Sequence, residues 1–292
     1  MKKLTALMLS SAMMLSLAAC GGSASTETVS SEAASSEAVS TEEAASADAA
    51  AVTTVNAGKL TMSTNAAFPP YEMTTDTGDF EGIDIEVAGA IAKKLGLELQ
   101  VDDMDFDAAL LAAQNGKSDM VMAGVTVTDE RLKVMDFSDT YAEGIQSIIV
   151  PEGSDIATAD DLSGKAIGTQ RGTTGYLYCT DDFGEENVIA YDDGLTAIQA
   201  LNNGQVDAVV IDNAPAQEFV AANPGLKILD TAYAQEDYAI GVAKGNTQLL
   251  DAINGALYGD TILDADVVFF SRNGENDRVW GQIGDQIGRA HV

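Results

Sequence analysis

The sequence carries the same helix-to-strand join twice. A-A-Q-N-G-K-S-D-M-V-M at Ala112 to Met122 is echoed by A-L-N-N-G-Q-V-D-A-V-V at Ala200 to Val210. In each copy a glycine, Gly116 or Gly204, stands where a helix can end in the left-handed conformation, and an aspartate, Asp119 or Asp207, opens an apolar strand. A unit repeated in this way predicts two similar α/β lobes. The first copy closes a series that begins with an alternating strand at Leu60, Met62 and Thr64. A helix follows from about Asp84 with Val87, Ile91 and Leu95 on one face, then a strand from Leu97 to Val101 and a helix from Ala108 to Asn115. That β-α-β-α-β order implies a mostly parallel sheet flanked by helices.

Each strand end delivers residues with chemistry. After the first copy comes A-G-V-T-V-T-D-E-R at Ala123 to Arg131. Thr128 reads as an N-cap with Asp129 and Glu130 in the first turn, which suits the helix dipole; Arg131 puts a cation at the same positive end. A locally unfavourable cation beside threonine hydroxyls and an open glycine backbone points to a site for a small carboxylate, the competing reading being a surface arginine paired with an acid. After the second copy Asp212 stands where it can complement an arginine opposite, or simply cap the helix that starts before Pro215. Between the copies, the strand Ala166 to Thr169 runs through Gln170, Arg171 and Gly172 to Thr173, Thr174 and Gly175. Such a Gly/Thr-rich turn at a helix N-terminus aims N–H groups at an anion. It lacks the Gly-Lys-Ser/Thr of a phosphate loop and the spacing of a dinucleotide fingerprint, so a carboxylate suits it better. Phe68, on a loop held irregular by Pro69 and Pro70, places an aromatic ring at a strand end.

The formal net charge of −31 disfavours nucleic acid and anionic membrane surfaces. Met1 to Ala19 has the layout of a secretory signal, with Lys2 and Lys3 before an apolar stretch too short to span a bilayer. It ends Leu17, Ala18, Ala19, Cys20, Gly21, which resembles the lipobox of bacterial lipoproteins, so Cys20 is the expected lipidation site. Residues 20–54 are then a Ser/Ala/Glu linker unable to bury a core, a tether reaching roughly 30 Å. Cys179, the other cysteine, reads as a small core residue. Residues 287–292, I-G-R-A-H-V, translate ATCGGAAGAGCACACGTC, the core of a common sequencing adapter, and are expected to be a non-native tail that includes the one histidine, His291. Genomic codons for this tail would refute that.

From about Lys59 to Leu257 the chain resembles the polar amino acid binding proteins of ABC importers, the bacterial extracellular solute-binding proteins of family 3. The likeness rests on T-N-A-A-F-P-P-Y-E, G-I-D-I-E-V-A from Gly82, M-D-F-D-A-A-L-L from Met104, A-G-V-T-V-T-D-E-R with D-F-S-D-T-Y at Asp136, and D-A-V-V-I-D-N from Asp207. The resemblance implies a two-lobed periplasmic-binding-protein-like fold of type II, with two crossing hinge strands near Gln146 to Val150 and Tyr238 to Val242. Lobe 1 would comprise residues 55–146 and 239–286, and lobe 2 residues 147–238. After Leu257 the pattern departs, with an apolar run from Asp260 to Phe270.

The resemblance further implies that Arg131 and the Thr173 and Thr174 turn hold a ligand α-carboxylate, and that Asp212, the Gly124 carbonyl and the Thr126 hydroxyl hold its ammonium. Phe68 and Phe106 would form apolar walls. Asn65 stands where binders of cationic side chains often carry aspartate; a neutral amide there forgoes a charge-assisted bond of about 1.5 to 3 kcal/mol. A polar neutral L-amino acid is favoured on that ground, with Glu72, Asp105 and Asp107 near enough to restore a preference for arginine, lysine or histidine.

The expected role is capture without chemistry, needing no metal or cofactor: a monomeric, lipid-anchored receptor on the extracytoplasmic face of the membrane, delivering its ligand to a permease and its ATPase. An enzyme of the cyclohexadienyl or arogenate dehydratase type on the same fold is the alternative, and no Ser/His/Asp or metal-ligand spacing supports it. A third reading, a receptor sensor domain, requires a membrane span after the domain.

Overall fold

The computed structural model describes residues 52–230 and 232–257. The signal, the lipobox cysteine, most of the linker and the adapter-like tail lie outside them.

The first half of the chain runs β1 (Lys59–Thr64), β2 (Ala67–Phe68), β3 (Glu72–Thr74), β4 (Phe80–Glu81), α1 (Ile83–Lys94), β5 (Glu98–Asp103), α2 (Phe106–Gln114), β6 (Met120–Val121) and α3 (Asp129–Val134). A long strand, β7 (Met135–Pro151), leads to β8 (Ile167–Gln170), α4 (Thr174–Phe183), β9 (Val188–Tyr191), α5 (Gly194–Asn202), β10 (Ala208–Asp212), α6 (Asn213–Ala222) and β11 (Leu226–Ile228). The chain returns through β12 (Ala234–Ala243) to α7 (Thr247–Leu257).

The two lobes repeat one topology. β5, β1 and β6 are parallel in that order, and β12 joins antiparallel to β6; β9, β8 and β10 are parallel in that order, and β7 joins antiparallel to β10. The order second-first-third puts a switch point between β1 and β6 in one lobe and between β8 and β10 in the other, the places where open α/β sheets bind ligands. The sequence repeat is the join that builds both. Gly116 and Gly204 sit at φ of 64° and 67°. Asp119 Oδ2 accepts from the Thr61 N–H at 2.7 Å, and Asp207 Oδ2 from the Ala166 N–H at 2.9 Å, so each aspartate ties its strand to the start of the lobe's first strand.

β7 and β12 pair along their length, from Ala234 opposite Gln146 to Ala243 opposite Met135, with irregular register around Tyr238 and Ala239. The N-terminal part of β7 and the C-terminal part of β12 belong to the first lobe's sheet. Residues 146–149 of β7 already pair with β10. The expected crossing at Gln146 to Val150 falls on the part of β7 that pairs with β10. An antiparallel pair with interrupted register is a natural bending point, because the ladder there is already incomplete. Apolar side chains of both sheets and of α1, α5, α6 and α7 fill the cores; Cys179 is buried in the core of the second lobe as expected.

Candidate functional site

The site is assembled from the carboxyl ends of β1, β6, β8 and β10, the strands on either side of the two switch points. Beyond β6, Gly124 adopts φ 55°, and a Cβ there would lie 2.9 Å from the Phe68 ring, so glycine lets the ring pack on the main chain. Thr128 caps α3 by accepting from the Arg131 N–H at 3.2 Å, as the sequence predicts.

Arg131 leaves the first turn of that helix and is 9% exposed. Its Nη1 donates to the Thr126 carbonyl at 2.7 Å and its Nη2 to the Gly172 carbonyl at 3.2 Å, across to the other lobe. The guanidinium carbon lies 5.4 Å from the centre of the Phe106 ring. Among the described residues Arg131 forms no ion pair. A buried guanidinium offering a planar fork, held by carbonyls and an aromatic face but by no acid, has the chemistry to receive an anion. Burial pulls its pKa down, opposed by the charges of Glu236, Tyr178, Asp107 and Asp212, and it stays a cation.

The second lobe supplies the opposing wall. Thr173 caps α4 by accepting from the Tyr176 N–H at 3.3 Å. Asp212 occupies the N-cap position of α6, but its side chain makes no capping bond. It accepts instead from Gln146 Nε2 at 2.8 Å and from the Tyr238 hydroxyl. Capping alone does not account for this carboxylate. Burial, then the charge of Glu236, pushes its pKa up to about 7.

All nine ligand-binding positions expected from the sequence line one narrow cleft, together with Glu72, Ala123 and Gln170. Asn65 is not free toward that cleft. Its Nδ2 donates to the Met104 carbonyl at 3.0 Å and its Oδ1 accepts from Gln170 Nε2 at 2.8 Å, a contact between lobes. Of the three acids expected to be near it, Glu72 is the one that lines the cleft; the Asp107 carboxylate faces Gly172.

Three supporting residues were missed: Gln146, Glu236 and Tyr238, all on the crossing strands. Gln146 Nε2 bridges Asp212 and Glu236, and Thr126 Oγ1 donates to Glu236 Oε2 at 3.1 Å. The available signal was Gln146, a glutamine beside Ile145, Ile148 and Ile149; Glu236, flanked by Gln235 and Asp237, carried none.

The buried acids make stability depend on pH. Burial is the first cause that raises the pKa of Glu72 well above the carboxylate range, of Asp84 to about 6 and of Asp212 to about 7. A raised value in the folded state means that the fold binds more protons than the unfolded chain, so this stability is present at acid pH and is lost as pH rises through 6 to 7. Thermal melts of the ligand-free protein should show a Tm higher at about pH 5.5 than at about pH 8, by roughly 5 °C.

The sequence model of the bacterial extracellular solute-binding proteins, family 3, matches residues 60–259. The chain is 33% identical over 214 residues to a probable histidine-binding protein of Neisseria gonorrhoeae, covering 71% of this chain and 80% of that one. It is 33% identical over 204 residues to the L-cystine-binding protein TcyJ of Escherichia coli K12, covering 68% and 76%. Among solved structures, holo ArgBP from T. maritima superposes with a TM-score of 0.66 at 40% identity, covering 68% of this chain and 89% of that one. An ancestral arginine-binding protein bound to glutamine gives 0.67 at 40% identity, covering 78% and 97%.

Proposed function

We infer the role of this protein from one premise: the chain belongs to the bacterial extracellular solute-binding proteins, family 3. It is an amino-acid-binding protein of an ABC transport system and works outside the cytoplasm. The finer reading is our proposal. The ligand α-carboxylate pairs with the Arg131 fork and with Thr173 and Thr174, while its ammonium is held by Asp212, the Gly124 carbonyl and the Thr126 hydroxyl. Phe68 and Phe106 wall the side chain. The observation that carries this is the buried guanidinium of Arg131 without an acid partner, facing a buried carboxylate on the other lobe. A ligand touching both favours the closed form because only there are both contacts made. The loaded, monomeric receptor, anchored through Cys20, hands its cargo to a permease and its ATPase, and it performs no chemistry; turnover of prephenate or arogenate would refute that last point.

For the ligand side chain we favour a cationic head. Glu72, Asp84, Asp212 and Glu236 are four buried carboxyls around the cleft, and Arg131 is the one buried cation among the described residues. Once the α-carboxylate has taken Arg131, the surroundings are acidic and a further positive charge is stabilised. Asn65, the argument for a neutral ligand, is engaged with Met104 and Gln170. A neutral amide side chain is the second reading, since a relative that binds arginine also holds glutamine. Calorimetry with arginine, lysine, histidine and glutamine decides: tighter binding of arginine or lysine supports the first, tighter binding of glutamine the second.

Closure itself is testable at Gly172. It lies at φ 73°, and a Cβ would come 1.6 Å from Asp107 Oδ1 of the other lobe. Forcing an extra methyl into a packed contact costs about 1–3 kcal/mol, and here the contact with Asp107 exists only when the lobes are closed. Gly172→Ala should therefore weaken binding roughly tenfold and enlarge the radius of gyration in solution scattering with ligand present, and Asp107→Ala in the same chain should recover part of the loss.

A further inference from the structure

Beside the cleft lies a second pair of acids that capture of the α-amino and α-carboxylate groups does not use. Glu72 opens β3, Asp84 sits in the first turn of α1, and neither has any exposed surface. The Asp84 N–H donates to the Tyr71 carbonyl at 2.8 Å, which fixes the two side chains next to one another. Asp84 Oδ2 accepts from the Gly124 N–H at 3.0 Å and from the Tyr141 hydroxyl at 2.9 Å. Asp84 Oδ1 and both Glu72 oxygens receive no donor from any other described residue. The two carboxyls can satisfy these oxygens in one another only through a hydrogen bond between them. A carboxyl-to-carboxyl hydrogen bond needs a hydrogen on one partner. Two donors already on Asp84 place the negative charge there and the proton on Glu72.

No described residue nearby offers a second positive charge. The charged groups acting on Glu72 are Asp84 from α1, Asp103 from β5 and Asp212 from β10, all acids. The tyrosines coupled to it are Tyr71 and Tyr141, weak acids whose own pKa values are raised. Arg131 lines the same cleft and is committed to the Thr126 and Gly172 carbonyls. Two like charges in one buried site cannot both be ionised cheaply, so one proton stays. Glu72 is the member of the pair that lines the cleft.

We propose that Glu72 and Asp84 hold one shared proton, and that a cationic ligand head replaces it, so that each binding event releases that proton to solvent. This rests on the cationic reading given above. The exchange balances: the Glu72 O–H bond breaks, its electron pair stays on the carboxylate that then faces the cation, and the proton goes to buffer. Burial, then the charge of Asp84, raises the Glu72 pKa well above its usual range, in keeping with a retained proton. Affinity for a cationic ligand then rises by up to about tenfold per pH unit wherever the ligand-free pair keeps its proton. A neutral side chain gains nothing from the exchange, so the pair discriminates between ligands more sharply as pH rises.

The test is calorimetry of arginine binding to the protein in buffers of different ionisation enthalpy, which counts released protons. Working at about pH 8 keeps Asp212, at about 7, largely ionised. The protein should release about one proton more per arginine than its Glu72→Gln variant. Equal release by both overturns the proposal while leaving the cationic reading intact; absence of arginine binding to the unaltered protein overturns both. Infrared difference spectra of the unaltered protein do not depend on the variant binding ligand. A protonated-carboxyl C=O band should vanish on arginine addition and be missing from ligand-free Glu72→Gln, and its persistence with arginine bound overturns the proposal.

Discussion

Replacing Arg131 with alanine should lower ligand affinity by a factor of roughly 30 to 5000, the equivalent of about 2–5 kcal/mol for removing one partner of a buried, hydrogen-bonded charge pair. The size follows from the setting. The guanidinium is nearly enclosed, already aligned by the Thr126 and Gly172 carbonyls and by the Phe106 ring, and it has no acid of its own. An incoming carboxylate meets a fork whose ordering cost has been met by the fold. Arg131→Lys keeps the charge but loses the fork, and should recover only a small part of the affinity. The same substitution to alanine should leave the Tm of the ligand-free protein unchanged or higher, because burial works against this charge until a ligand arrives. Calorimetry and a thermal melt on one sample separate the two effects. A variant that binds normally would remove the central contact of the proposed site.

Asp212→Asn tests the other end of the ligand. Losing a charge-assisted bond to the ammonium costs about 1.5–3 kcal/mol, a roughly 10- to 150-fold drop in affinity. Asparagine is nearly isosteric and still offers an acceptor to the Tyr238 hydroxyl, so the fold should survive. The pH dependence identifies the mechanism. Burial and Glu236 raise Asp212 to about 7, so below neutrality a ligand ammonium must first displace a proton, and affinity falls as pH falls. In the variant this component of the pH profile should vanish. The ligand-free variant should also be more stable than the original near pH 8, because the stability that Asp212 loses as pH rises through its folded value is no longer at stake. Binding titrations and melts across pH 5 to 8 check both signs.

Much of the site was legible in the chain because its residues sit at fixed offsets from recognisable strand ends. Gly124 follows β6, Thr173 and Thr174 follow β8, and Asp212 ends β10; once the strands are placed, the sheet topology brings these positions together. Arg131 was legible for a different reason: a cation in the first turn of a capped helix breaks a local rule. Asn65 lines the cleft, but its partner Gln170 lies 105 residues away on the other lobe, and only closure brings them to 2.8 Å. Gln146, Glu236 and Tyr238 were missed because strand alternation says which side chains face inward and nothing about which inward groups meet across two crossing strands.

The sequence by itself determined the lobes, their repeat and the family, since local periodicity, caps and turn glycines depend on neighbours a few residues apart. Only the tertiary structure decided the electrostatics. Glu72 and Asp84 are 12 positions apart and separated by a turn and a short strand, yet share a site without solvent; Asp212 gains its raised pKa from enclosure and from Glu236. Burial and the pairing of distant charges are properties of the packed molecule, because the cost of a charge depends on what surrounds it in space.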